Sequence, residues 1–307
     1  MSLPSTIDVA FTQQYGSMLY MLSQQKKSKF APRVRNETIR GAKDGYFDRL
    51  GEAEVEDITT RHPDTPLNEI PNSRRRLTMT DSHTNSFIDH QDQLKMLINP
   101  QNPYAQAQAM ALGRKIDDKI IAAALGSAAA GVDGTTSVDF KDESISINGD
   151  GTVTTLGTLA AVKTVAIMSL AKILTMKRLF DDEDVDEDAK LHWAVSPKDV
   201  QDMLDIEELS SADYNTVRTL AQGNIETFMG FEFFKTTRLT EDAVTSTAHR
   251  TFAWVADGVI FGSAEGIYNQ ISEREDKSYT TQVYSRMSNG AVRMDGDKIH
   301  ECLNKIA

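Results

Sequence analysis

The stretch over residues 98–126, INPQNPYAQAQAMALGRKIDDKIIAAALG, leaves this chain little conformational freedom. Asn102 can cap a helix, and Pro103 sits at the first helical position, where its missing N–H costs nothing. Gly126 suits the left-handed residue that stops a helix. Between them lie strong helix formers and no further proline. Leu112, Ile116, Ile120 and Leu125 fall roughly at helical spacing, so one stripe is apolar. The helix would be about 35 Å long. That length suits a strut on which other elements lean; an ordinary long core helix is the plainer alternative.

Upstream, residues 1–50 carry Lys26, Lys27, Lys29, Arg33, Arg35, Arg40, Lys43 and Arg49 against few acids. They read as an extended arm, with a short helix over residues 11–22. It is either a partly disordered tail or an arm that orders only when laid across a neighbouring subunit. Residues 45–97 read as a protruding hairpin, with alternation around Ala53, Val55 and Asp57 and a second strand at 77–80. Between these lies the proline-broken RHPDTPLNEIPNSRRR. Such a loop buries little within its own chain, and its open edges need a cover, for which a second copy is the natural source. His62-Pro63-Asp64 matches a co-chaperone tripeptide but lacks the paired helices around it.

Downstream, residues 128–156 read as loops and short strands. Residues 159–180 read as a second helix with Lys172, Lys177 and Arg178 toward its C-terminal end. Residues 181–188, DDEDVDED, hold seven acids in eight positions. A calcium-hand loop starting at Asp182 needs Gly sixth and Glu twelfth, where this chain has Glu187 and Trp193, so a solvated acidic loop is expected. Residues 191–195 read as a buried strand feeding a helix capped by Ser196 with Pro197 first and Asp199 third. Met229-Gly230 reads as a turn, 251–255 as a strand, and 279–304 as β-rich.

No chemistry-bearing motif stands out. HExxH, GxxxxGK[ST] and GxSxG are absent. Ser23-Gln24-Gln25-Lys26 is SxxK in form only. The six histidines, at 62, 83, 90, 192, 249 and 300, have no metal-ligand spacing. The expectation is therefore no catalytic residue, no metal and no cofactor. The lone Cys302 rules out an intrachain disulfide and fits a reducing cytosol. The N-terminus lacks the pattern of a secretory signal, and no run of eighteen apolar residues exists to span a membrane. A net charge of −12 disfavours a chain built mainly to hold nucleic acid.

The words RHPDTPLNEIP, RRRLTMTD, INPQNPYAQ and MALGRKIDDKIIAAALG, in that order, resemble those of tailed-phage major capsid proteins with the Hong Kong ninety-seven type fold. The resemblance covers nearly the whole chain. It implies an α+β capsid fold: an N-arm (1–44), an E-loop hairpin (45–97), a P-domain with the spine helix (98–190), an A-domain (191–285) and a C-terminal return to the P-domain (286–307). Residues 257–268 would form a helix and turn in the A-domain. It further implies an icosahedral shell of pentamers and hexamers around double-stranded DNA, assembled in the host cytoplasm. Partners would be other copies of the chain, scaffolding and portal proteins, and DNA non-specifically at most, with no membrane. Some relatives join subunits by a Lys–Asn bond, but only Lys43 lies near the E-loop, which argues against it here. The runner-up is an encapsulin-like nanocompartment shell enclosing an enzyme cargo. A soluble enzyme with an unrecognised site comes third. Copies of an acidic chain repel one another. The inter-subunit contacts expected to offset this are the basic arm, with Arg74, Arg75 and Arg76 at the loop, against acidic patches such as residues 181–188 or Glu52, Glu54 and Glu56.

Overall fold

A computed structural model describes residues 23–55, 57, 60–61, 67–89, 101–148, 151–154, 166–186, 188–206, 227–241 and 248–305. The strands are β1 (Arg35–Thr38), β2 (Asp44–Leu50), β3 (Asn72–Thr78) and β4 (Thr80–Ile88), then β5 (Ala128–Ala130) and β6 (Thr136–Val138). They continue with β7 (Ser146–Ile147), β8 (Val153–Thr154), β9 (Leu191–Val195), β10 (Thr227–Phe228), β11 (Phe231–Lys235), β12 (Ala248–Val255), β13 (Val259–Arg274), β14 (Thr280–Arg293) and β15 (Ile299–Lys305). The helices are α1 (Gln101–Leu125), α2 (Phe140–Glu143), α3 (Leu170–Asp182) and α4 (Pro197–Leu204).

The long helix forms as expected, with both ends shifted in detail. It starts at Gln101, so Asn102 lies inside the first turn, and Pro103 still falls where no N–H is used. Gly126 ends the helix without a left-handed backbone, since it is not among the positive-φ residues. A Cβ there would stand 2.4 Å from the Ala122 carbonyl oxygen, so the chain needs glycine for clearance. Ile120, Ile121, Ala124 and Leu125 are buried against Phe30, Phe252 and Trp254.

The largest sheet has seven strands in the order β10-β11-β9-β12-β15-β7-β8. Alternate residues of its central strands enter different cores. Trp193, Val195, Ala253 and Val255 pack with Ile173, Met176 and Phe180 of α3 and Val200 and Met203 of α4. Ala194, Phe252 and Trp254 pack with α1 and Phe30. Covered on both faces, β9 has all five of its residues buried, His192 included. The expected cap of α4 is present. Asp199 N–H donates to Ser196 Oγ at 3.2 Å, and Ser196 N–H donates to Asp199 Oδ2 at 2.7 Å. Met229 and Gly230 both adopt positive φ and make the turn between β10 and β11.

Four expectations are corrected. The second helix begins at Leu170, because Ala166 is pulled into a bridge with Asn304; residues 155–165 lie outside the described residues. Lys172 therefore sits in the first turn, buried, donating to the carbonyls of Ala166 and Leu303 and to Asn304 Oδ1. Residues 257–268 are no helix: a single 3-10 turn, Ala256–Gly258, leads into β13. Gly262 fits there because a Cβ would lie 2.8 Å from Ile39 Cδ1 and 3.0 Å from Leu77 Cδ2. The arm is not wholly outlying. Buried Asp117 accepts from the Ser28 hydroxyl and the Lys29 and Phe30 N–H groups, while Phe30 stacks 5.5 Å from Trp254. The expected helix at 11–22 and the His62–Asp64 tripeptide lie outside the described residues.

The chain divides into two compact units. One takes Met1–Lys27, Asp81–Arg114 and Gly266–Met287; the other takes Ser28–Thr80, Lys115–Glu265 and Ser288–Ala307. In the first, Gln108 donates to Ser86 Oγ and the Val283 carbonyl, both at 3.0 Å, and accepts from Ser285. In the second, C-terminal β15 pairs with β12 and β7 inside the seven-stranded sheet.

Candidate assembly surface

The hairpin forms, with strands at β2 and β3, so Ala53 and Val55 lie beyond the paired region. β3 also pairs with β5, which ties the hairpin base to the body. Register sets Tyr46 opposite Arg76, Phe47 opposite Arg75 and Asp48 opposite Arg74. Adjacent strand residues face opposite sides, so the three arginines separate.

Arg75 turns inward. It is 1% exposed and donates to Glu143 and, at 3.4 Å, to the Met294 carbonyl. Glu143 also accepts from Arg293 at 3.3 Å and Arg49 at 3.5 Å. Fully buried Arg293 donates further to the carbonyls of Ala124, Gly126 and Val138. The guanidinium thus satisfies carbonyls that the end of α1 leaves open. Burial pushes the Arg293 pKa down, and the Glu143 charge opposes that. Arg75 was expected to reach a neighbour; it instead clamps the hairpin to its own body and has no surface to offer.

Arg74 and Arg76 turn outward. Arg74 donates to Asp48 Oδ1 at 2.5 Å and lies 5.8 Å from the Tyr46 ring centroid. The hydrogen bond to Arg74 holds the Asp48 carboxyl below its usual range. Arg76 is half-buried, and its Nε has no hydrogen-bond partner. Its side chain crosses Gly134, where φ is +64° and a Cβ would lie 2.5 Å from Arg76 Cβ. Tyr46, Arg74 and Arg76 thus form one outward patch, with exposed Val132 in the β5–β6 turn of the same unit.

Glu52 and Glu54 are exposed on the distal hairpin, whose two arms are joined by Asn68 donating to the Glu54 carbonyl at 2.9 Å. Glu56 lies outside the described residues. Leu50, Val55 and Leu67 are exposed on the same part of the chain, Val55 at 91%. At its base, a recess of about 820 Å³ is lined by Glu52, Glu183, Asp186, Asp257, Asp295 and Asp297 against Arg49 and Lys298. Burial, reinforced by neighbouring carboxylates, pushes the Glu183 and Asp297 pKa values up. The expected acidic loop is partly helical: Asp181 and Asp182 close α3 and pair with Lys177 at 2.7 Å and Arg178 at 3.6 Å. Among the described residues no group of three His, Cys, Asp or Glu side chains is arranged to hold a metal ion.

Sequence spacing flagged the arginine run, but nothing singled out Glu143 or Arg293. Their roles arise from contacts spanning 68 and 150 positions, and no local pattern carries such contacts.

The model of the family described as phage capsid protein matches residues 7–305. Among solved structures, the capsid asymmetric unit of cyanophage Pam1 superposes with a TM-score of 0.74 at 15% identity, covering 99% of this chain and 98% of that one. The capsid of cyanophage P-SCSP1u gives 0.73 at 15%, covering 99% and 96%. A chain of Mycobacterium phage Che8 gives 0.69 at 12%, covering 95% and 96%. No curated protein sequence matches the chain.

Proposed function

The chain belongs to the phage capsid protein family and is a major capsid protein of the Hong Kong ninety-seven type fold, a structural component of an icosahedral virion shell; from that premise we propose how it assembles. Copies join into pentamers and hexamers through heterologous contacts, which close into rings when the rotation between copies allows it. The distal hairpin carries the proposal. Leu50, Val55 and Leu67 are exposed in the single chain, and a neighbouring subunit supplies the surface that covers them.

In this scheme residues 1–44 are the N-arm, 45–97 the E-loop and 98–190 the P-domain with its spine helix. Residues 191–285 are the A-domain, and 286–307 return to the P-domain. The shell encloses double-stranded DNA, forms in the host cytoplasm, and uses separate scaffolding and portal proteins. No catalytic step is assigned to the chain. The phage family match favours a genome shell over an enzyme-loaded nanocompartment. Among the described residues no helix is long and apolar enough to cross a membrane.

At residue level, Arg76, flanked by Tyr46 and by Arg74 in its pair with Asp48, meets the Glu52 and Glu54 carboxylates of the next copy. Purified protein imaged by negative stain should show closed particles. The combined Arg74→Glu and Arg76→Glu variant should stay folded yet assemble poorly. Normal particles from that variant would refute the contact.

A further inference from the structure

The far end of the β13–β14 hairpin holds a second recess that the contacts above do not use. It measures about 770 Å³ and lies within one compact unit. Phe87 and Asp89 border it from the end of β4, and Glu273, Tyr279 and Thr280 from the hairpin. Its two aromatic rings face water: Phe87 is 48% and Tyr279 62% exposed. Asp276 is occupied by Arg274, at 2.7 and 2.8 Å. Asp89 and Glu273 make no hydrogen bond or ion pair among the described residues.

Two further observations mark the recess as built to receive something. Thr280 is only 7% exposed, lines the recess, and its hydroxyl has no partner among the described residues. A buried hydroxyl left unmade is costly, so a native structure normally supplies one. Beside it, Ser278 and Tyr279 both hold positive φ, at 54° and 56°. That conformation is unfavourable for a tyrosine, and it is what swings the ring to the rim. Aromatic faces and two carboxylates uncommitted among the described residues, beside an unpartnered hydroxyl, together fit a cationic side chain.

Some cations at the surface are already paired within the chain, and others, such as Lys115, Lys190 and Lys305, stand singly. Arg35 pairs with Glu37, Arg74 with Asp48 and Arg178 with Asp182. Lys26 and Lys27 lie on a segment fixed at both ends, by Arg114 on Gln24 and by Asp117 on Ser28. The β1–β2 turn is different. Arg40, Gly41, Ala42 and Lys43 are four consecutive exposed residues, and the side chains of Arg40 and Lys43 make no bond among the described residues. Gly41 has φ +74°, and a Cβ there would meet nothing within 4 Å, so the turn stands clear.

We propose that the basic Arg40–Lys43 turn of one copy docks into the recess formed by Phe87, Asp89, Glu273, Tyr279 and Thr280 of a second copy. This rests on self-assembly of the chain, and adds a heterologous contact distinct from the outward arginine patch. Lys277, also at the recess, limits it to one or two incoming cations rather than a polybasic segment.

The test compares wild type, the pair Arg40→Glu with Lys43→Glu, the pair Asp89→Lys with Glu273→Lys, and all four together. Light scattering and negative stain report assembly; circular dichroism reports the fold. Each pair should lower the assembled fraction by about tenfold or more, and the combination should recover it, since like charges facing each other are strongly disfavoured. Pairs that assemble like wild type, or a combination no better than its parts, overturn the docking. Wild type that never assembles overturns the self-assembly reading instead. Independently, Lys43→Cys with Asp89→Cys should give a covalent ladder in assembled particles under a short bismaleimide, against a low background because Cys302 is buried. Assembled particles without a ladder overturn the proposal.

Discussion

Replacing Glu143 tests whether the hairpin is held by a buried ionic clamp or merely by strand pairing. The Glu143 side chain is 16% exposed and faces three cations, two of which, Arg75 and Arg293, are 1% and 0% exposed. Glu143→Gln keeps the shape and removes the charge. Arg293 retains three carbonyl acceptors, so its loss is partial. Arg75 keeps at most a neutral amide oxygen at position 143 and the Met294 carbonyl at 3.4 Å, so it becomes a buried cation with no counter-charge. Breaking a buried pair from one side costs about 3–5 kcal/mol. The partial compensation of Arg293 places the expectation near the lower end, about 3 kcal/mol.

The measurement is urea unfolding of unassembled protein, with hydrogen exchange resolved along β2 and β3. The expected result is a lower midpoint at unchanged slope, with early loss of protection in both strands. The double variant Glu143→Gln with Arg75→Leu should recover part of the loss, because the orphaned charge is gone. A Glu143→Gln protein within about 0.5 kcal/mol of wild type, the range of an ordinary surface change, would refute the clamp.

Three other outcomes follow from buried groups. His300 is fully buried with neither ring nitrogen partnered, and burial lowers its pKa from 6.5 to about 4. The unfolded chain therefore binds the extra proton between those values, and stability should fall as pH drops from 6.5 toward 4, by up to about 3 kcal/mol. His300→Leu should flatten that slope; an unchanged slope in the unfolding midpoint would refute the assignment. Burial pushes the Cys302 thiol up to about 12, so native protein should resist maleimide at neutral pH and label fully in denaturant, and rapid native labelling would contradict this. Ser196→Ala removes the oxygen that accepts the Asp199 N–H and should cost about 1 kcal/mol in chemical unfolding; no loss would mean the cap is redundant.

What the sequence made legible follows the range of the interactions involved. The α1 stripe, the Ser196 cap and the buried β9 run are set by neighbours a few positions away, and each is where periodicity and capping rules put it. The misplaced elements depend on distant partners. α3 starts late because Ala166 bridges Asn304, and 259–274 is strand because β1 pairs with its first residues. Its small residues, Gly262, Ala264 and Gly266, resemble breaks in a helix when only local spacing is read. In space, Gly262 is where two other side chains pass.

The same logic governs the charges that remain for assembly. An acidic chain can build a shell only if its copies present cations that are not already neutralised at home. The RRR run is conspicuous in sequence, yet strand alternation buries Arg75 and cross-strand pairing commits Arg74 to Asp48, so that run delivers little more than Arg76. The less conspicuous Arg40-Gly41-Ala42-Lys43 turn delivers two cations that are exposed and unpaired among the described residues. Contact strength between copies should therefore track unpaired charge rather than the local density of basic residues. By that argument, reversing Arg40 and Lys43 should impair particle formation more than reversing Arg74 alone, in a salt-titrated light-scattering assay. The opposite ranking would show that intrachain pairing does not decide which cations serve the shell.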